Sequence, residues 1–259
     1  MKKHSRVWFV VLKSRTMKIA LFVLCCAMLL SFNFGGESLA SVFVQKTRKL
    51  PIYCVQNEKK EIAISFDAAW GSDKTEKILQ ILDEQEVKAN FFLVGMWVDK
   101  NEELVKKIDQ KGHEIGTHSN THPDFVKLSK AQMELELATS KKKITNITGK
   151  EVTLFRAPYG SYDNTVLTVA EKENLKTIQW DVDSLDWKGI SAGQIAGNVL
   201  KKVQSGSIIL CHNNAEHIVE ALPSILTTLK AGGYKFVTIG ELLLDGNTKI
   251  DHTGRQIAC

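Results

Sequence analysis

The stretch Glu61–Val94, EIAISFDAAWGSDKTEKILQILDEQEVKANFFLV, decides the architecture. Ile62–Phe66 is an apolar run of strand length, and Lys74–Gln85 brings Ile78, Leu79 and Leu82 to one face at helical spacing. Ala89–Val94 is apolar and strand-like again. Strand, amphipathic helix and strand in succession make a βαβ unit, whose two strands run parallel. The first strand ends in one carboxylate, Asp67, followed by Ala68-Ala69-Trp70. Such an acid either opens a turn or caps the next helix, or it belongs to chemistry gathered at the C-terminal ends of strands.

The alternation continues. A helix is expected over Glu102–Gln110, ended by Gly112, then a strand at His113–Thr117 and a helix over Lys130–Thr145 with Ser129 as its N-cap. Further strands fall at Val152–Phe155, Leu175–Trp180, Ser207–Cys211 and Lys235–Ile239, separated by helices near Asn164–Lys172, Ser191–Val203 and Glu216–Lys230. Seven strands alternating with helices indicate an α/β protein with a parallel sheet, closed into a barrel or open and doubly wound.

The 259 residues carry a formal charge of +5. Lys2, Lys3, Arg6, Lys13, Arg15 and Lys18 against Glu37 account for it; removing them from 34 basic and 29 acidic residues leaves 28 of each sign. The basic excess is therefore a property of the leader, and a nucleic-acid partner loses its main support. That leader reads as export: a basic start, the apolar run Ile19–Phe34, and small residues at Ser38-Leu39-Ala40 where a signal peptidase would cut. Uncleaved, it would anchor the chain to the membrane, with more apolar sequence upstream at Val7–Leu12. Either way the domain lies outside the cytoplasmic membrane. The expected organisation is a leader over 1–40, an extension over 41–59, the domain over 60–245 and a tail over 246–259. Cys54 and Cys259 flank that domain and can pair in an oxidising compartment, free thiols being the alternative.

Ionisable residues collect after the strands. His118-Ser119-Asn120-Thr121-His122, Arg156-Ala157-Pro158-Tyr159-Gly160, Asp183-Ser184-Leu185-Asp186-Trp187 and His212-Asn213-Asn214 join Asp67 on one expected rim. Taken singly, a His pair four apart is a surface coincidence, Arg-Ala-Pro-Tyr-Gly a rigid turn, and His212 a hydrogen-bonded core histidine. In this order and spacing they indicate a site.

The order Phe66-Asp67, His118-Ser119-x-x-His122, Arg156-x-Pro158-Tyr159-Gly160, Asp183-x-x-Asp186-Trp187 and Leu210-x-His212 resembles the polysaccharide deacetylases of the NodB-homology type, carbohydrate esterase family 4, over about residues 60–240. The FDAAWG variant is similar to a sporulation-associated branch. The resemblance implies a distorted (β/α) barrel of about seven parallel strands and a monomeric hydrolase that removes N-acetyl groups from cell-wall glycan, most readily peptidoglycan. It implies that Asp67 is the base, His212 the acid, Arg156 the partner of Asp67 and Asp186 the partner of His212. It further implies that the Tyr159 N–H serves the oxyanion, that Leu210 and Trp187 line a slot for the acetyl methyl, and that His118 and His122 hold a divalent metal, zinc. The family's first motif normally has a second, metal-binding Asp where this chain has Ala68. The third ligand is then water, Asp67 or an amide such as Asn213, and metal binding is weak. An inactive carbohydrate-binding relic is the alternative reading.

Overall fold

The computed structural model describes residues 14–34 and 48–259. One unit ends at Thr47, and a compact unit runs from Arg48 to Cys259. In the first, Ser14–Phe34 forms a helix, α1. No helix among the described residues is long and apolar enough to cross a membrane. The candidate cleavage site at Ser38-Leu39-Ala40 lies outside the described residues.

The compact unit begins with the short strand β1 (Cys54–Val55) and continues through β2 (Glu61–Ala68), α2 (Thr75–Glu84), β3 (Asn90–Leu93), α3 (Gly95–Lys100), α4 (Glu102–Gln110) and β4 (Glu114–Thr117). Then come α5 (Lys130–Thr148), β5 (Leu154–Phe155), α6 (Asn164–Lys172), β6 (Lys176–Thr177), β7 (Val182–Asp183) and α7 (Ala192–Leu200). The chain ends with β8 (Ile208–His212), α8 (Ile218–Ala231), β9 (Lys235–Phe236), α9 (Ile239–Leu242), β10 (Thr248–Ile250) and β11 (Arg255–Ala258). The expected N-cap of α5 is present: Ser129 and Gln132 form a reciprocal capping box that satisfies donors of its first turn.

Seven strands lie in the order β6-β5-β4-β3-β2-β8-β7, parallel at each ladder, and β9 joins β2 at its start. The sheet curls into a half-barrel, the distorted (β/α) barrel that the resemblance implies. The interior is apolar and small, with Ala63, Phe92, Leu154, Ile178 and Ile208 among its residues. The larger cluster lies between sheet and helices and takes the alternate residues of β2, namely Ile62, Ile64, Phe66 and Ala68. Side chains alternate across a strand, so Ser65 and Asp67 share the inner side with Ala63.

Two sequence expectations shift. The strand expected over Leu175–Trp180 contracts to Lys176–Thr177, because beyond it the chain pairs with the entry segment: Ile52 bridges Ile178, and Gln179 N–H donates to the Ile52 carbonyl. The next strand, β7, was not expected; it crosses to the opposite edge beside β8. Residues of the extension and the tail together build a small second sheet, with β1 parallel to β11 and β11 antiparallel to β10. Cys54 is buried and Cys259 exposed, both as free thiols.

Candidate active site

Asp67 is the penultimate residue of β2, one strand from His212 on β8, and the two are direct ladder neighbours. Both line an open groove of about 500 Å³ at the C-terminal rim, together with His118, His122, Tyr159, Trp187 and Leu210. The structure thus brings seven of the residues singled out in the sequence to one cavity. Arg156 and Asp186 sit behind it as buried partners.

Arg156 is completely buried. Its Nη1 donates to Asp67 Oδ1 at 2.7 Å and to Ser65 Oγ at 2.9 Å, and Nη2 donates to the Gln179 carbonyl at 3.1 Å. The guanidinium lies 4.1 Å from the centroid of the Phe92 ring, a cation–π contact in a dry interior. Burial, the largest single influence, would raise the Asp67 pKa; the Arg156 charge and hydrogen bond, together with His118 and His212, outweigh it and hold the carboxyl below its usual value. Asp67 is therefore ionised at neutral pH, with Oδ1 occupied and Oδ2 directed to His118.

His212 is held from the other side. Asp186 Oδ1 lies 2.7 Å from His212 Nδ1, and Asp186 Oδ2 accepts the His212 backbone N–H at 2.7 Å. Burial lowers the His212 pKa, but the Asp186 carboxylate, with smaller contributions from Asp67 and Asp183, more than offsets it and the net shift is upward. The crossover of β7 makes this pairing: the turn after β7, with Leu185 at φ 58°, carries Asp186 under the end of β8.

His118 has its Nδ1 2.8 Å from the Arg156 carbonyl. That contact requires Nδ1–H to donate, leaving Nε2 unprotonated and 3.6 Å from Asp67 Oδ2. Burial pushes the His118 pKa down to about 4, against the pull of Asp67, so the ring is neutral. The His122 pKa is also lowered by burial, and its Nδ1 is buried without a partner. The two rings stand 5.0 Å apart, edge to face.

Two neutral imidazoles with free lone pairs fit a divalent ion as far as they go. They fall one short of the three protein ligands usual for catalytic zinc, and among the described residues no group of three His, Cys, Asp or Glu is placed to hold a metal. Ala68 has its methyl in the main apolar cluster. Asn213 is fully buried and its Nδ2 donates to the Gly71 carbonyl and to Thr75 Oγ1, while its Oδ1 is left without a partner. It is not among the residues that line the groove with His118 and His122. The donor set does not fit a three-ligand metal centre.

Tyr159 adopts φ 61°, a left-handed conformation costly for a non-glycine residue and common at functional turns. Its side chain is 71% exposed and stands edge-on to His122, with ring centroids 4.7 Å apart. Sequence reasoning placed Asp183 and Asn214 on the rim and Trp70 after Asp67 without giving them a role, and did not single out Trp180; all four line the groove. Trp70 is 59% exposed and Trp187 57%, and Trp70 packs its edge toward His122 at 5.9 Å. The signal for Trp70 was available: a large aromatic one residue past the loop's apolar pair, with no helix face to join.

Residues 55–178 match the family model described as polysaccharide deacetylase. Over 194 residues the chain is 36% identical to a peptidoglycan-N-acetylglucosamine deacetylase of Bacillus cereus, which covers 73% of this chain and 91% of that one. The chain belongs to the polysaccharide deacetylase family. Within that family it is also 36% identical over 207 residues to the peptidoglycan-N-acetylglucosamine deacetylase PgdA of Listeria monocytogenes, covering 80% of this chain and 44% of that one. It spans between 44% and 63% of the length of the longer curated relatives it matches. Among solved structures it is similar to a CE4 family pseudoenzyme of Bacillus anthracis, at 36% identity and a TM-score of 0.72, covering 74% of this chain and 68% of that one. A mutant of the same pseudoenzyme is described as having restored enzymatic activity.

Proposed function

We propose that this chain is an exported N-deacetylase of bacterial cell-wall glycan, with peptidoglycan as the substrate and metal loading as the limit on its turnover. One observation carries the reading: a buried base with a cationic partner, Asp67–Arg156, and an acid with an anionic partner, His212–Asp186, face one groove from adjacent strands. Environments that push two titratable groups toward opposite protonation states are what acid/base catalysis requires.

In this reading Asp67 takes a proton from the attacking water as its oxygen adds to the acetamide carbon. The Tyr159 N–H donates to the oxyanion. His212 then delivers the proton of its Nε2–H to the departing sugar nitrogen, so the C–N bond breaks to give an amine and acetate. Asp186 fixes the His212 tautomer through Nδ1. Leu210 and Trp187 line the apolar end where the acetyl methyl lies. His118 and His122 would supply two imidazole ligands to a divalent metal, zinc by donor preference and weakly bound, which would polarise the acetyl carbonyl and the attacking water. A role in sporulation and action as a monomer belong to the same reading.

A second reading, glycan binding without hydrolysis, is favoured by Ala68 and by the likeness to a pseudoenzyme. Incubating the protein with N-acetylated chitooligosaccharides and peptidoglycan fragments, with zinc or cobalt added, separates the two. Acetate release that disappears in Asp67→Asn supports the deacetylase. Saturable binding with no acetate released supports the second reading.

A further inference from the structure

We propose that Glu136, on the middle of α5, is the positioning residue that holds the His118–His122 loop and fixes the His122 ring between Trp70 and Tyr159. The loop is strained at both ends of its turn: Ser119 has φ 72° and His122 φ 61°. Neither is glycine, and such conformations persist only where surrounding contacts over-determine them. Internal bonds supply part of that: the Ser119 N–H donates to Thr117 Oγ1 at 3.2 Å, and the His122 N–H to Ser119 Oγ at 2.9 Å.

The rest comes from one carboxylate. Glu136 Oε2 accepts the N–H groups of Asn120 and Thr121, both at 2.8 Å, and Oε1 accepts the Thr121 hydroxyl at 2.7 Å. Three charge-assisted hydrogen bonds therefore converge on a single side chain from the two residues between the strained positions. From the other side the Gly95 N–H and Met96 N–H donate to the carbonyls of Ser119 and Asn120 at 2.9 Å each. Gly95 is needed there, because a Cβ at that position would lie 2.3 Å from Asn120 Oδ1. The backbone of α3 thus seats the loop's carbonyls, while Glu136 seats its N–H groups and sets the register of Thr121 against α5.

His122 feels this directly. Its ring has no hydrogen-bonding partner at Nδ1 and rests on edge contacts with His118, Trp70 and Tyr159. With no side-chain partner at Nδ1 to hold it, the ring's place in the groove is set by its backbone. Glu136 lies on a helix flank, is not among the groove residues, and acts through the loop alone. The consequence for ligand binding rests on the glycan reading above; the consequence for His122 does not.

The test uses the full chain without ligand. Histidine ring signals in nitrogen- and carbon-labelled protein report the neighbouring Trp70 and Tyr159 rings through their ring currents. In Glu136→Ala the His122 signals move toward unstructured values while those of His113, at the far end of the sheet, stay in place. In Glu136→Gln they are retained, because the amide oxygen accepts both N–H groups and the amide NH₂ donates to Thr121 Oγ1. Chitotetraose affinity falls about tenfold in the Ala variant and recovers in the Gln variant, a loss on the scale of one charge-assisted hydrogen bond. If Glu136→Ala does not fold, Thr121→Val removes one of the three bonds and gives a smaller shift in the same direction. His122 signals unmoved in whichever variant folds would overturn the proposal. A wild type that binds no chitotetraose would instead count against the glycan reading, with the histidine signals still deciding the role of Glu136.

Discussion

Nε2 of His118 and Oδ2 of Asp67 face each other at 3.6 Å, two acceptors with no proton between them. Such a pair is satisfied by a cation or a bridging water, and this chain lacks the neighbouring carboxylate that would complete a metal centre. Ala68→Asp therefore raises zinc affinity by more than about tenfold, or about 1.4 kcal/mol, as read by titration calorimetry. Its cost appears without metal. A carboxyl set into the apolar cluster that holds the Ala68 methyl destabilises the metal-free protein by about 1–3 kcal/mol, and added zinc restores the loss. Unchanged zinc affinity in this variant would mean that another group already serves as third ligand.

Replacing His212 by Ala lowers deacetylation by about 10²–10⁴-fold. It leaves the buried Asp186 Oδ1 without its ring partner, but Oδ2 keeps the backbone N–H of residue 212 and the site is partly open to the groove, so the loss of stability is smaller than for Asp67→Ala. Asp67 behaves differently. Asp67→Ala leaves the Arg156 guanidinium buried and unpaired, and breaking a buried pair costs about 3–5 kcal/mol. Asp67→Asn, which keeps an acceptor for Arg156, is the variant that isolates the base. Urea unfolding alongside acetate release measures both effects, and equal stability of the Ala and Asn variants would contradict the burial argument.

The pH profile of kcat/KM has an acid limb from Asp67 and an alkaline limb from His212. The His212 pKa is raised by Asp186, so Asp186→Asn shifts the alkaline limb to lower pH while leaving the acid limb in place. An alkaline limb that does not move would assign it to a different group.

Folding stability should fall as the pH drops from about 6.5 toward 4. His113 and His118 are buried as neutral rings with pKa values near 4, chiefly because burial disfavours the charged form. Below 6.5 the unfolded chain takes up protons that the folded chain refuses, each such group steepening the loss by about 1.4 kcal/mol per pH unit. His113 lies far from the groove, where its Nδ1 accepts the Ala89 N–H at 3.2 Å. His113→Gln should reduce the slope between pH 6.5 and 4 without altering the kcat/KM profile; chemical denaturation at stepped pH reads it directly.

The residues that end strands were legible because their signal is local: an apolar run fixes the strand, and the next ionisable residue must emerge at its end. Asp67, His118, Arg156 and His212 were placed this way. Elements of two residues have no periodicity to read, so β7 escaped notice, and with it the crossover that puts Asp186 under His212. The helix Gly95–Lys100 was missed because it follows β3 with only Val94 between them, and no Ser, Thr or Asp caps it. Glu136 gave no sign at all, since its partners are backbone groups on a loop that only the fold brings to α5. Arg156 is the most voluminous fully buried side chain among the described residues, and only the structure shows how little else compensates its charge.

The small sheet joins the two ends of the compact unit: Cys54 and Val55 pair with Arg255 and Gln256, and the Tyr53 and Gln56 N–H groups donate to Gly254 and Gln256. Cys54 and Arg255 stand some 200 positions apart in the chain. In a chain lengthening on the ribosome, the first strand of the unit therefore finds no partner at this seam until β10 and β11 have been made, and the clasp is among the last contacts of the unit to close.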